Sequence, residues 1–167
     1  TYNALGQLVQ STDYAGTPTT YQYDALGRLL SQTIVIEDGV TAATKYDYDA
    51  SGNIIREWKP TNAAGAAAAW SKTEYSYNSR GKLTEVRQYD GSTLASETTY
   101  AYDAVGNLLQ MTAGGSTTSY TYDRFGNVLS ETDALGQVTC STYSALGRLE
   151  STTSRDGVVT VYGYDAL

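Results

Sequence analysis

The sequence predicts an all-β chain of tandem antiparallel β-hairpins forming a curved, spiralling β-strip, and three observations carry the prediction. Tyrosine and glycine each occur 16 times in 167 residues, beside one Phe and two Trp. A phrase of the form Tyr-x-Tyr-Asp-x-x-Gly-x-aliphatic returns along the chain, and its glycines Gly6, Gly27, Gly52, Gly81, Gly106, Gly126 and Gly147 stand 21, 25, 29, 25, 20 and 21 residues apart. The text between the phrases is rich in Val, Ile, Thr and Tyr and holds no sustained helical period, which suits strands.

Each position of the phrase has a physical reading. Tyr21 and Tyr23 stand two apart on a strand and therefore share one face. The same holds for Tyr46 and Tyr48, Tyr75 and Tyr77, Tyr100 and Tyr102, and Tyr120 and Tyr122. The next position reads Asn3, Asp24, Asp49, Asn78, Asp103, Asp123, Ser144 and Asp165: it keeps a short side-chain oxygen but not a charge. That pattern marks an Asx-type turn, in which the side chain accepts a hydrogen bond from a backbone N–H two residues on. Gly27, Gly52, Gly81, Gly106 and Gly126 then end a type I turn with positive φ and a G1 bulge. Two residues after each glycine come Leu29, Ile54, Leu83, Leu108 and Val128, which face the second tyrosine of their hairpin. Such an aromatic–aliphatic pair across two strands contributes about 0.2–1 kcal/mol. The copy around Tyr143 departs from the phrase, with Ser141 and Ser144 replacing the first Tyr and the Asp, and a looser turn is expected there.

A second turn class lies between the phrases, at Asp13 to Gly16, Asp38-Gly39, Asn62 to Gly65, Asp90-Gly91, Gly114-Gly115, Asp133 to Gly136 and Asp156-Gly157. Short Gly-containing turns between strand-like runs signal hairpins. With both classes assigned, Gly163 alone has no turn to make, so the chain reads as a meander. The Ala-rich stretch Ala63 to Trp70 is read as an enlarged loop of the second class. The last strand, Val158 to Tyr164, contains neither Lys nor Pro, and its outer edge is expected to be covered by neighbouring chain or by a further copy.

Composition narrows the function classes. With 11 Lys and Arg against 18 Asp and Glu the net charge is -7, which disfavours nucleic acid and anionic lipid as partners. Cys140 is the single cysteine, so no intrachain disulfide forms, and no segment has the roughly 20 apolar residues of a membrane-spanning helix. The chain lacks His, the commonest general base and metal ligand. Asn3, Asn78 and Ser144 at the aspartate position argue against calcium and against carboxylate catalysis, and no loop has calcium-ligand spacing. No catalytic, cofactor or metal residue is assigned. The hydrophobic fraction of 41% predicts one domain with a buried interior, and residues 1–167 read as a single array of about eight repeats, cut at both ends.

These residues resemble the YD repeats of the Rhs family, found in bacterial polymorphic toxins, the C component of insecticidal toxin complexes, wall-associated proteins and teneurins. The resemblance covers essentially the whole chain. It implies a β-strip that spirals into a shell, commonly enclosing a toxin domain of the same chain, and a secreted or cell-surface location. The implied partners are the remaining repeats of a longer chain and the enclosed toxin. The aspartates with which family members cleave themselves lie in a shell-closing region that has no counterpart here. Eight hairpins make a strip only about 75 Å long at about 4.8 Å per strand, so enclosure would belong to a longer chain or an assembly. The alternative is an extracellular adhesin, a carbohydrate-binding array whose tyrosines stack on sugars, or a self-associating fibre.

Overall fold

The computed structural model describes residues 1–37, 40–61 and 70–165. The Asp38-Gly39 turn, the Asn62 to Gly65 turn and most of the Ala63 to Trp70 stretch lie outside the described residues. Contacts divide the chain into two units, Thr1–Glu97 and Thr98–Leu167. The first holds β1 (Gln10–Thr12), β2 (Pro18–Tyr23), β3 (Leu29–Glu37), β4 (Val40–Tyr48), β5 (Ile54–Pro60), β6 (Trp70–Tyr77), β7 (Leu83–Asp90) and the first half of β8 (Thr93–Tyr102). The second holds the rest of β8, then β9 (Leu108–Ala113), β10 (Ser116–Tyr122), β11 (Val128–Thr132), β12 (Val138–Tyr143), β13 (Leu149–Thr153) and β14 (Val159–Val161). The strands follow one another in the sheet in chain order, β1 to β14, with antiparallel pairing. The all-β meander is thus the fold observed.

The pairing puts Tyr23 opposite Leu29, Tyr48 opposite Ile54, Tyr77 opposite Leu83, Tyr102 opposite Leu108 and Tyr122 opposite Val128. One step further the register slips: Gln22 pairs with Ser31 and Asp47 with Arg56, leaving Leu30 and Ile55 as extra residues of a bulge. The same slip follows the turns at Gly81, Gly106, Gly126 and Gly147. It lies within the strand, beyond the glycine bulge, and nothing in the repeated phrase announces it. The last strand is shorter than the run Val158 to Tyr164. Its ladder pairing covers Val159–Val161, and one further bond runs from Tyr162 N–H to the Glu150 carbonyl at 2.9 Å.

The expected buried interior is absent among the described residues. No hydrophobic side chain there is buried, and Ser31, 9% exposed, is the single buried residue. The reason is topological, since among the described residues each strand touches only its neighbours in sequence and no element packs across a sheet face. The motif tyrosines and their aliphatic partners are therefore half-buried, shielded by one another on the sheet surface.

Candidate functional site: the repeated turn and its tyrosine

The repeated turn is built from backbone first. In the copy at Asp24, the Gly27 N–H donates to the Asp24 carbonyl at 3.0 Å, and the Asp24 N–H donates to the Arg28 carbonyl at 2.9 Å. The same two bonds close the turns at Asn3, Asp49, Asn78, Asp103, Asp123 and Ser144. The glycines carry the strained angle: φ is 83° at Gly27, 89° at Gly52, 73° at Gly81, 101° at Gly106 and 88° at Gly126. A side chain bearing a Cβ is disfavoured at such angles.

The side-chain oxygen then caps the turn twice. Asp24 Oδ1 accepts from the N–H groups of Leu26 and Arg28, both at 2.9 Å, and Asp49 Oδ1 accepts from Ser51 and Asn53, both at 2.9 Å. Asn78, Asp103 and Asp123 repeat the pattern. At Ser144 the backbone bonds are unchanged but the caps lengthen, to 3.3 Å from Leu146 and 3.2 Å from Arg148, because a hydroxyl on a shorter side chain reaches less far.

The second carboxylate oxygen also has a partner, the side chain just after the glycine: the turn type already implies that Asp24 faces Arg28 across the hairpin, and the structure adds the side-chain bond between them. Asp24 Oδ2 accepts from Arg28 Nε at 2.6 Å, and Asp49, Asp103 and Asp123 accept from the amides of Asn53, Asn107 and Asn127. Where the cap is Asn3, it donates instead, to Gln7 Oε1 at 2.7 Å. The signal was present in the sequence as a donor following each capping aspartate and an amide following Asn3.

These bonds set the acidity of the carboxylates. The Arg28 N–H, more than any other group, holds Asp24 below the ordinary carboxylate range. The amide side chains of Asn53 and Asn127 are the main cause of the same shift at Asp49 and Asp123. At Asp103 desolvation pushes upward, but the bonds from Asn107, Gly106 and Val105 together outweigh it and the carboxyl is lowered. Every such carboxylate is thus committed to its own turn. Among the described residues no group of three or more His, Cys, Asp or Glu is placed to hold a metal ion.

The tyrosine hydroxyls do something the strand pattern does not reveal. Between neighbouring hairpins backbone pairing stops short of the turns: β3 and β4 pair last at Ser31 and Lys45. Past that point the Tyr48 hydroxyl donates to the Leu29 carbonyl at 2.8 Å, joining one motif hairpin to the one before it. Tyr23 reaches the Leu8 carbonyl at 2.8 Å, Tyr77 that of Ile54 at 2.9 Å, Tyr122 that of Leu108 at 2.8 Å and Tyr164 that of Leu149 at 3.0 Å. Tyr143, in the copy capped by Ser144, has no such bond among the described residues. This explains why the phrase takes Tyr and not Phe. Desolvation raises the hydroxyl pKa of Tyr48, Tyr75, Tyr77, Tyr102 and Tyr122. The first tyrosines Tyr21, Tyr46, Tyr75, Tyr100 and Tyr120 are also half-buried, and Tyr21 lies 3.2 Å from Ser11 Oγ. Adjacent turns are tied too, by Arg28 Nη1 donating to the Asp49 carbonyl at 3.1 Å, with the same guanidinium 4.6 Å from the Tyr48 ring centroid.

A meander of capped hairpins, with tyrosine clasps from Tyr23, Tyr48, Tyr77, Tyr122 and Tyr164 to the preceding hairpins, is the construction of a structural repeat protein. The RHS Repeat family model matches residues 2–41, 77–115 and 102–138, more than half of the chain, and the chain belongs to that family. Among solved structures it is similar to the crystal structure of TcdB2-TccC3-Cdc42, with 21% identity, a TM-score of 0.75, and coverage of 92% of this chain and 9% of that one. It is also similar to TcdB2-TccC3 without its hypervariable C-terminal region, at 20% identity and TM-score 0.74, covering 98% and 9% of the two chains. The Photorhabdus luminescens Tc holotoxin pore matches at 20% identity and TM-score 0.72, covering 92% and 9%. At such identities the likeness shows the fold, and this chain spans only 9% of those chains. Comparison with curated proteins gave no match.

Proposed function

We propose that this chain is a wall segment of an RHS-type β-shell that encloses or presents a toxin or effector domain in a secreted or cell-surface protein. The observation that carries the reading is the lack of a buried interior among the described residues. The chain exposes 11096 Å², whereas a compact monomer of 18.0 kDa exposes about 8,000 Å². A sheet that spends its apolar residues on its own surface, clasped from hairpin to hairpin, is suited to being a wall. Its role is structural and not catalytic, because the recurrent carboxylates are consumed by the turns they cap. In this reading residues 1–167 form one repeat array. Further repeats pair with the outer edge of β14, where Val159 and Val161 are 59% and 76% exposed.

Limited proteolysis of the full-length protein containing this segment tests the proposal. A domain accompanying the repeats should resist protease while joined to them and be digested rapidly when expressed alone. Equal digestion rates in the two settings would refute enclosure.

A further inference from the structure

The sheet face opposite the motif tyrosines carries a row of alternating charge in the first unit. Directly paired residues share a face, so Asp47, Arg56, Glu74 and Arg87 follow one another across β4 to β7. Glu97 on β8 continues the row, 2.7 Å from Arg87. The signs therefore alternate from strand to strand. Arg56 lies 3.5 Å from Asp47 and 3.3 Å from Glu74. Lys72 and Glu85, each two residues away on the same strand, brace Glu74 at 3.0 Å and Arg87 at 2.7 Å. Linked in this way, the charges form a network, which contributes where an isolated surface pair contributes little.

The centre of this ladder falls where no turn fixes the pairing. A hairpin loop of about two to five residues sets the register of its strands. β5 ends at Pro60 and β6 begins at Trp70, so residues 61 to 69 separate them and no short turn dictates that Arg56 meets Glu74. The charges discriminate instead. Sliding β6 by two residues one way puts Arg56 opposite Lys72, and sliding it the other way puts Arg56 opposite Ser76 and Glu74 opposite Trp58. Like charges directly opposite one another are destabilising. A slide of one residue turns every side chain of the strand to the other face. In the second unit the connections after β9, β11 and β13 span only residues 114–115, 133–137 and 154–158. There the face opposite the motif tyrosines holds uncharged rows, Ala101 with Gln110 and Ser119, and Thr121 with Ser130, Cys140 and Thr153.

We propose that the Arg56–Glu74 pair, flanked by Asp47 and Arg87, sets the register of β6 on β5 in place of a tight turn. The Tyr77 clasp to the Ile54 carbonyl holds the other end of the same two strands. The ladder and the clasp thus act on one register from opposite faces, and the ladder's share shows once the clasp is removed. This role is independent of whether the wall encloses another domain.

Disulfide trapping in the full chain, with Cys140→Ser as background, tests the assignment. Glu57 and Thr73 are directly opposite on the tyrosine face, so Glu57→Cys with Thr73→Cys reports the native register. Glu57→Cys with Ser71→Cys, or with Tyr75→Cys, reports the two slides, because those diagonal neighbours stand about 7–8 Å apart in the native register and do not bridge. With the clasp removed by Tyr77→Phe, the native cross-link should still dominate at low salt. Adding Arg56→Gln should raise the slipped cross-links at least about 5-fold, and Arg56→Lys should return them to the lower level. Salt at 1 M, which shortens screening to about 3 Å, should raise them with Arg56 intact, so the test does not depend on one variant folding. Slipped cross-links already dominant with Arg56 intact at low salt, native cross-links alone in both Arg56→Gln and high salt, or Arg56→Lys slipping as much as Arg56→Gln would overturn the proposal.

Discussion

Replacing Tyr48 by Phe removes one oxygen and little else. The ring, its half-buried position and the Arg28 guanidinium 4.6 Å from its centroid remain available, so the change isolates the 2.8 Å bond to the Leu29 carbonyl. A hydrogen bond of this kind contributes about 0.5–1.5 kcal/mol net. Water can reach a half-buried carbonyl and restore part of the loss, which places the effect toward the lower end. Because each hairpin touches only its neighbours, the loss should be local and not global. Native-state hydrogen exchange is the suitable assay. Amides of β3 and β4 near the turn should open about 2- to 10-fold more often in Tyr48→Phe, while those of β10 and β11 should not change. Tyr143→Phe is the control, since its hydroxyl has no backbone partner among the described residues. Exchange in Tyr48→Phe equal to wild type, or an equal change in Tyr143→Phe, would refute the clasp.

Further outcomes follow from the turn geometry. Gly106→Val should destabilise by about 1–3 kcal/mol, because φ of 101° is strained for a β-branched residue; a denaturant midpoint equal to wild type would contradict this. Asp103→Asn should unfold close to wild type, since its amide oxygen keeps the caps and Asn107 can reverse its amide, while Asp103→Ala should unfold earlier. If Asn is as harmful as Ala in a urea series, the charge itself matters. The folded state lowers Asp24, Asp49 and Asp123 below the ordinary 3.8, so it binds protons less readily than the unfolded chain there. Their stabilisation is complete above that value and should disappear as pH falls below it. Raised hydroxyls at Tyr48, Tyr77 and Tyr122 give the opposite limb, with stability present below the ordinary 10.0 and lost as pH rises past it. A thermal midpoint that is flat from pH 2 to about 4, or above about 10, would exclude the respective contribution.

The strand order was legible because the determinants are local. Gly27 and its equivalents mark where the chain reverses, and Tyr21 with Tyr23 mark which residues share a face, all within nine residues of sequence. The second turn class was less legible. At the turn assigned to Asp156-Gly157 the closing bonds run from Gly157 N–H to the Ser154 carbonyl and from Ser154 N–H to the Val158 carbonyl. Ser154 therefore opens that turn, a role that a dipeptide pattern centred on Asp-Gly hides.

What the sequence by itself determined is thus the hairpin: its turn residues, the tyrosine–aliphatic pairing and the chain-order meander, each set by contacts within one repeat. The tertiary structure alone decided how hairpins hold one another. The Tyr48 bond to Leu29 joins residues 19 apart, and the Arg28 bond to Asp49 joins residues 21 apart. Both depend on the bulge and on where inter-hairpin pairing stops. The same holds for the missing interior. A hydrophobic fraction of 41% is compatible with a packed core or with a sheet open on both faces. The choice rests on whether any element folds back across the sheet, and no described strand does, because each pairs with the next. The ion ladder from Asp47 to Glu97 belongs to this second category: its residues come from β4 to β8, and only cross-strand register brings them together.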